Sequence, residues 1–166
     1  MTEAFRDRID IALTVNGEQV EARVPAGRHL VDFLRLDLGL TGAHAGCEHG
    51  VCGACTIQVD GQAVRGCLML AAQADGAEVW TLEGLTEQGV IRDLQDAFVA
   101  RNALQCGYCT PGMLASIKEL LDMGGVPDRA TIREHLSGNY CRCTGYEAII
   151  DAVETVAQAR AGKGAA

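Results

Sequence analysis

The sequence has little basic charge, few aromatics and few prolines. Lys and Arg number 14 against 22 Asp and Glu, which leaves a formal charge of −8. A chain that grips a nucleic-acid backbone needs basic patches to neutralise phosphates, and this balance argues against one. Aromatics make up only 4%, too few for a platform on which bases stack. Three prolines argue against a Pro-rich linker protein. No apolar run approaches the ~20 residues that cross a bilayer. The charged opening, Met1 to Asp10, lacks the apolar stretch of a secretory signal. No Ser-His-Asp set, phosphate loop or Gly-x-Gly-x-x-Gly motif is present, and the scattered carboxylates form no cleft-like pair. A substrate pocket is not expected on so short a chain, and no catalytic residue is assigned.

What the sequence does have is cysteine and glycine. Against an ordinary globular background of 48% hydrophobic and 22% charged residues stand 20 glycines and eight cysteines in 166 residues. That cysteine density falls short of the roughly 8–10% of small disulfide scaffolds. A cytoplasmic location is expected, where thiols stay reduced and clustered cysteines serve as metal ligands or redox centres.

The hydrophobic pattern changes period along the chain. Ile9, Ile11, Leu13 and Val15 alternate with polar or small residues, which predicts a half-buried strand. Asn16-Gly17 is a hairpin turn, and Gln19 to Val24 returns as a second strand. Residues 28–38 predict a helix with Leu30, Phe33, Leu34 and Leu38 on one face, ended by Gly39. A loop dense in glycine and cysteine fills 42–55. Thr56–Val59 and Ala63–Arg65 flank a second hairpin turn, Asp60-Gly61, and Glu78–Leu82 is a last strand. From about residue 89 the period becomes helical. Four helices are expected: 89–102; one opened by Thr110 as N-cap with Pro111 in its first turn; a short one through Leu136, opened by Asp128 or by a Thr131–Glu134 capping box; and a last one capped by Thr144. The junction lies near 83–89, and Ala161–Ala166 reads as a frayed tail.

The cysteines divide four and four. Cys47, Cys52, Cys55 and Cys67 follow the spacing C-x4-C-x2-C with a distant fourth cysteine, the pattern of plant-type [2Fe-2S] ferredoxins. Three thiolates on one loop can wrap a two-iron cluster, and the fourth closes it. Gly46, Gly50 and Gly53 let the backbone approach the sulfurs. A zinc site prefers paired C-x2-4-C hooks and fits this set poorly. The second set is Cys106, Cys109, Cys141 and Cys143, a C-x2-C and a C-x-C, both expected just before a helix. Its spacing alone leaves zinc and a [2Fe-2S] cluster equally open. His44, His49, His29 and His135 are expected to face solvent, and Arg142 is a surface or partner-contact residue.

Three segments carry a family resemblance. Gly46-Cys47-Glu48-His49-Gly50-Val51-Cys52-Gly53-Ala54-Cys55-Thr56 resembles the N-terminal cluster loop of the small iron–sulfur subunit of molybdenum hydroxylases, the xanthine dehydrogenase, aldehyde oxidoreductase and carbon monoxide dehydrogenase family. Gln105-Cys106-Gly107-Tyr108-Cys109-Thr110-Pro111-Gly112 and Gly138-Asn139-Tyr140-Cys141-Arg142-Cys143-Thr144-Gly145-Tyr146 resemble its second-cluster motifs. The resemblance spans roughly residues 9–157. Gly66 departs from it, since serine is more usual before the fourth cysteine.

The resemblance implies an α+β fold: a plant-type ferredoxin β-grasp domain over residues 1–84, then a four-helix bundle over 85–166 with a short disordered tail. It implies that all eight cysteines ligate two [2Fe-2S] clusters. It implies further that Gln105 and Cys143 contact the pterin of a molybdenum–pterin cofactor on a large partner subunit. A medium subunit would carry FAD, and the N-terminal cluster would face it, in a heterotrimer or its dimer. Single electrons would pass from molybdenum through this chain to the flavin. The 47–52 loop looks most like those of bacterial three-subunit enzymes that hydroxylate N-heteroaromatic compounds. An aldehyde, acyl-CoA or carbon monoxide dehydrogenase subunit is the alternative. A free-standing two-cluster ferredoxin and a zinc module remain, disfavoured by the pterin-contact motif and by the first loop's spacing. Two oxidised clusters with four thiolates each would take the net charge from −8 to about −12, so partner faces should offer positive or apolar surface.

Overall fold

The computed structural model describes residues 7–164. β1 (Arg8–Val15) and β2 (Glu18–Pro25) form the first hairpin, with Asn16 and Gly17 both at positive φ. Ile11, Leu13 and Val15 point into the core, whereas Ile9 is exposed. β3 (Thr56–Val59) and β4 (Gln62–Arg65) form the second hairpin around Asp60-Gly61, and β5 (Glu78–Trp80) lies between the pairs. The sheet order is β2-β1-β5-β3-β4, mixed because β5 runs parallel to β1 and antiparallel to β3. The edge strand β4 is covered: the Glu119 carboxylate accepts the Ala63 N–H at 2.7 Å, which blunts an otherwise open edge.

The helix expected over 28–38 is shorter and changes pitch. α1 (Leu30–Asp32) widens into a π-type turn, Phe33–Asp37, closed by the Leu38 N–H on the Phe33 carbonyl. The predicted apolar face holds in Leu30, Phe33 and Leu34, all fully buried, and Gly39 ends the element at positive φ. A short 3-10 turn, Ala71–Ala74, had no period long enough to be read.

The helical region contains α2 (Leu82–Glu87), α3 (Arg92–Ala100), α4 (Thr110–Asp122), α5 (Arg129–Leu136) and α6 (Glu147–Gly164). α2 was not expected: six residues are too few to show a helical period, and Leu82 instead extended the reading of β5. Asp128 caps α5, its carboxylate accepting the Thr131 N–H at 2.8 Å. Two other caps differ from expectation. α4 is capped by Cys109, with Thr110 already inside it. α6 starts only at Glu147, because Tyr146 at positive φ breaks the helical path; the Thr144 hydroxyl accepts the Tyr146 N–H at 3.3 Å and donates to the Cys141 sulfur at 3.1 Å. The segment from Ala161 is helical as far as Gly164, and residues 165–166 lie outside the described part.

The apolar residues form two cores. One, from Ile11 to Val79, lies under the sheet and α1. The other, from Leu85 to Ala157, lies among the helices. The seam between them is polar. Thr56, Gln58, Ser116 and Asn139 are buried there to 2–4% exposure, on β3, α4 and the segment after α5. No helix among the described residues is long and apolar enough to cross a membrane.

Candidate metal centres

The first cysteine loop is pinned from two sides before any metal enters. The Arg35 guanidinium donates to the carbonyls of Thr41 and Ala43 at 2.6 and 2.7 Å. The Glu83 carboxylate accepts the Gly42 N–H and the Thr81 hydroxyl, each at 2.7 Å. Between these anchors and β3 the chain turns back on itself, so Cys47, Cys52 and Cys55 converge, and Cys67 enters just after β4. Burial is the main force pushing the Cys55 thiol up to about 11, and the neighbouring Cys67 and Cys52 sulfurs add to it. The Cys47 thiol is drawn down to about 6, chiefly by the Cys52 N–H and then the His49 N–H. The Cys52 N–H lies 3.3 Å from the Cys47 sulfur. Backbone donors aimed at sulfur are what an anionic cluster requires. Gly46 sits so close that a Cβ there would lie 3.1 Å from the Cys52 sulfur. Cys55 and Cys67 are buried, and Cys47 and Cys52 partly open. Gly66, where serine is more usual, donates its N–H to the Cys55 carbonyl at 3.1 Å.

The second set gathers from two segments. Cys106 and Cys109 lead into α4, and Cys109 stands at its N-cap, where free N–H groups favour negative charge. Cys141 and Cys143 lie on the loop between α5 and α6, several residues short of a helix start, which corrects the expectation that both pairs sit at N-termini. The Cys143 and Cys106 sulfurs are 3.6 Å apart, close but far outside the roughly 2.05 Å of a disulfide. All eight cysteines are free. Burial pushes Cys109 up to about 12, helped by the Cys141 and Cys106 sulfurs. Burial works against ionising Cys141 too, but donation from the Thr144 hydroxyl and N–H outweighs it and lowers the thiol. Cys143 is raised by the adjacent Cys106 sulfur. Within each quartet the thiols shift one another's ionisation. Among the described residues no three His, Cys, Asp or Glu side chains form a ready-made metal site, and it is the chemistry of four thiolates that suits a [2Fe-2S] centre.

Cys106 and Cys143 are exposed, and so is Gln105, whose Nε2 donates to the Cys143 carbonyl at 3.2 Å. The structure therefore brings Gln105 and Cys143 together on the surface. Arg142 is exposed beside them.

The two loops also touch each other, which periodicity and spacing did not foretell. The Tyr140 N–H donates to the Cys52 carbonyl at 2.8 Å. The Tyr108 hydroxyl donates to the Ala45 carbonyl at 2.7 Å, and the His44 ring stacks on Tyr108 with centroids 4.6 Å apart. His44 Nδ1 lies 2.7 Å from the Tyr108 carbonyl. His44 is therefore a half-buried bridge, not a solvent-facing loop residue. His135 is likewise half-buried, its Nε2 2.8 Å from the Ser116 carbonyl. His29 and His49 are exposed as expected. Tyr146 closes the second loop, accepting the Cys141 N–H at 2.8 Å and donating to the Asn139 carbonyl at 3.0 Å.

Residues 13–85 match the 2Fe-2S iron-sulfur cluster binding domain family, and residues 81–154 match the [2Fe-2S] binding domain family. The caffeine dehydrogenase subunit gamma of Pseudomonas sp. (strain CBB1) is 52% identical over 149 residues, covering 88% of this chain and 89% of that one. The nicotine 6-hydroxylase small subunit of Paenarthrobacter nicotinovorans is 52% identical over 152 residues, 92% of each chain. Among solved structures, quinoline 2-oxidoreductase from Pseudomonas putida 86 superposes with a TM-score of 0.88 at 48% identity, over 94% of this chain and 96% of that one.

Proposed function

The chain belongs to the small iron–sulfur subunits of the molybdenum hydroxylases, and we propose from that premise which residues hold its cofactors and which way its electrons run. Its role is electron transfer within an oxidoreductase complex. Two [2Fe-2S] clusters, when bound, each supply a one-electron carrier.

The chain's own residues do the holding and orienting. Cys47, Cys52, Cys55 and Cys67 hold the first cluster, and Cys106, Cys109, Cys141 and Cys143 the second. The Cys52 N–H and the Thr144 hydroxyl and N–H direct partial positive charge at the Cys47 and Cys141 sulfurs. That stabilises thiolates at those positions. Gln105 and Cys143 form the surface that meets the molybdenum–pterin cofactor of a large subunit, and the first loop turns toward an FAD subunit. The carrying observation is the exposed Gln105–Cys143 pair, joined by the Nε2 contact. The exposed ligand edge is where an electron enters or leaves, and the polar Gln105 side chain beside it supports a fixed polar contact there.

The finer architecture follows the same reading. Residues 1–84 form a plant-type ferredoxin β-grasp domain. Residues 85–166 form a four-helix bundle of α3–α6, with α2 as the link from the sheet. Caffeine, nicotine and quinoline, named for the relatives, are all N-heteroaromatic, which supports a partner subunit acting on that class. The assembly is a heterotrimer or its dimer in the cytoplasm.

Purification through a tag on this chain from its own host tests the reading. One molybdenum–pterin protein and one flavoprotein are expected in fixed proportion with it. A monomer that carries iron, is intact and never associates with molybdenum would make it a free-standing ferredoxin instead.

A further inference from the structure

Three of the four segments that carry the ligand cysteines meet at one buried point, and a single side chain ties them. Gly53 follows Cys52, Gly112 lies three residues after Cys109, and Gly138 lies three before Cys141. Their backbones are in direct contact. A Cβ on Gly112 would lie 2.2 Å from the Gly53 carbonyl oxygen, and one on Gly53 would lie 2.5 Å from the Gly138 oxygen. Asn139 sits in the middle at 2% exposure. Its Nδ2 donates to the Gly53 carbonyl at 3.1 Å and to the Thr56 hydroxyl at 3.3 Å. Its Oδ1 accepts the Ser116 hydroxyl at 2.9 Å, with an Arg65 Nη2 contact at 3.4 Å. Arg65 completes the knot by donating to the Gly138 carbonyl at 2.6 Å and to the Thr56 hydroxyl.

All four hydrogen-bonding positions of the Asn139 amide are thus used, and its partners come from the first cysteine loop, β3, β4 and α4. An apolar seam would join two cores at less desolvation cost but would let them slide. The directional buried bonds of Asn139, with every position used, favour one registration, even though Gln58 Nε2 in the same seam has no partner. Nothing here ligates metal. What the knot controls is where the Cys47–Cys67 set stands relative to the Cys106–Cys143 set.

We propose that Asn139 is a positioning residue that fixes the spacing of the two cysteine quartets, and with it the coupling between the two centres. This rests on the reading of both quartets as cluster ligands. Asn139→Asp keeps the shape but replaces the donating Nδ2 by an oxygen facing the Gly53 carbonyl, and Arg65 beside it offsets the new charge. Ser116→Ala removes one partner and leaves the rest.

The test is made on the whole complex, reduced, with the magnetic interaction between the two centres read by electron paramagnetic resonance. This interaction falls steeply with distance. Iron and the reduction potential of each centre are measured alongside. Asn139→Asp is expected to retain full iron and shift the interaction, and Ser116→Ala to shift it less in the same direction. An unchanged interaction in both variants overturns the proposal. So does loss of iron from the second quartet alone in either one, since Asn139 would then only hold its own loop. If Asn139→Asp does not fold, Ser116→Ala decides by the same readout. A wild-type complex without two centres would instead sink the underlying ligand reading, a failure distinct from the proposal's own.

Discussion

The backbone N–H of Tyr140 is hydrogen-bonded to the carbonyl of Cys52 at 2.8 Å. One residue of each cysteine loop, 88 apart in sequence by their numbers, is thereby fixed to the other. Tyr140 precedes Cys141, and Cys52 belongs to the first quartet, so the contact joins the two sites with few intervening atoms. An electron relay needs such an arrangement: two centres held near each other by backbone, with one set facing outward.

Cys143, proposed as a ligand of the second cluster, is one of two exposed cysteines. Cys143→Ser should lower iron to about half that of the wild type, about two atoms from about four for two two-iron clusters. The signal of the first centre should persist. Iron analysis and electron paramagnetic resonance check this, and full iron with both signals intact would refute the assignment.

Gln105→Ala removes the donor to the Cys143 carbonyl but no ligand. Iron should stay complete. Reduction of this chain by the partner's substrate should slow severalfold, because the polar contact proposed toward the pterin is lost. Stopped-flow bleaching measures it, and a wild-type rate together with normal molybdenum content would dismiss the pterin contact.

Gly112→Ala places a methyl group 2.2 Å from the Gly53 carbonyl oxygen. Both neighbours are backbone, so relief requires the helix and loop to part. Overpacking of this kind costs about 1–3 kcal/mol. A lower melting temperature of the complex is expected, with the first and second loops both disturbed. Wild-type stability would mean that the seam yields more easily than its contacts imply.

Arg129 is shared by Glu147, Asp151 and Glu154, at 2.8, 2.6 and 2.9 Å, and so ties α5 to α6. Arg129→Gln leaves Asp151 and Glu154 facing each other without their cation, while Glu147 keeps Arg133 at 2.9 Å. The melting temperature should fall, and added salt should narrow the gap to wild type, because screening weakens both the lost attraction and the new repulsion. Melts at low and high ionic strength check it, and a gap that salt leaves unchanged would contradict an electrostatic origin.

Much of this was legible because local chemistry and period agreed. The turns at Asn16-Gly17 and Asp60-Gly61, the stripe Leu114, Ile117, Leu120 and Leu121, and the first quartet's spacing each speak through adjacent residues. The second quartet's spacing fits zinc as well as iron; the longer motifs around it, by their resemblance to the hydroxylase subunits, imply iron, and the family match bears that out. What stayed hidden depends on backbone conformation or on residues far apart in sequence. Thr144 reads as a helix cap because the positive φ of Tyr146, which delays the helix to Glu147, cannot be told from a tyrosine in the sequence. His44 and His135 looked like surface residues because Tyr108 and Ser116, their partners, arrive from another part of the chain. Asn139 stands within a second-cluster motif with little to mark it apart. Its signal was a small amide between a glycine and a ligand pair, and only burial reveals its use.

The central claim is that this chain carries two iron–sulfur centres inside a molybdenum enzyme. Quantifying iron, acid-labile sulfide, zinc and molybdenum in the gently isolated complex tests it most directly. About four irons and four sulfides per chain, with molybdenum and without zinc, are the expected result. Zinc in place of iron, or iron in a complete assembly that lacks molybdenum, would contradict it.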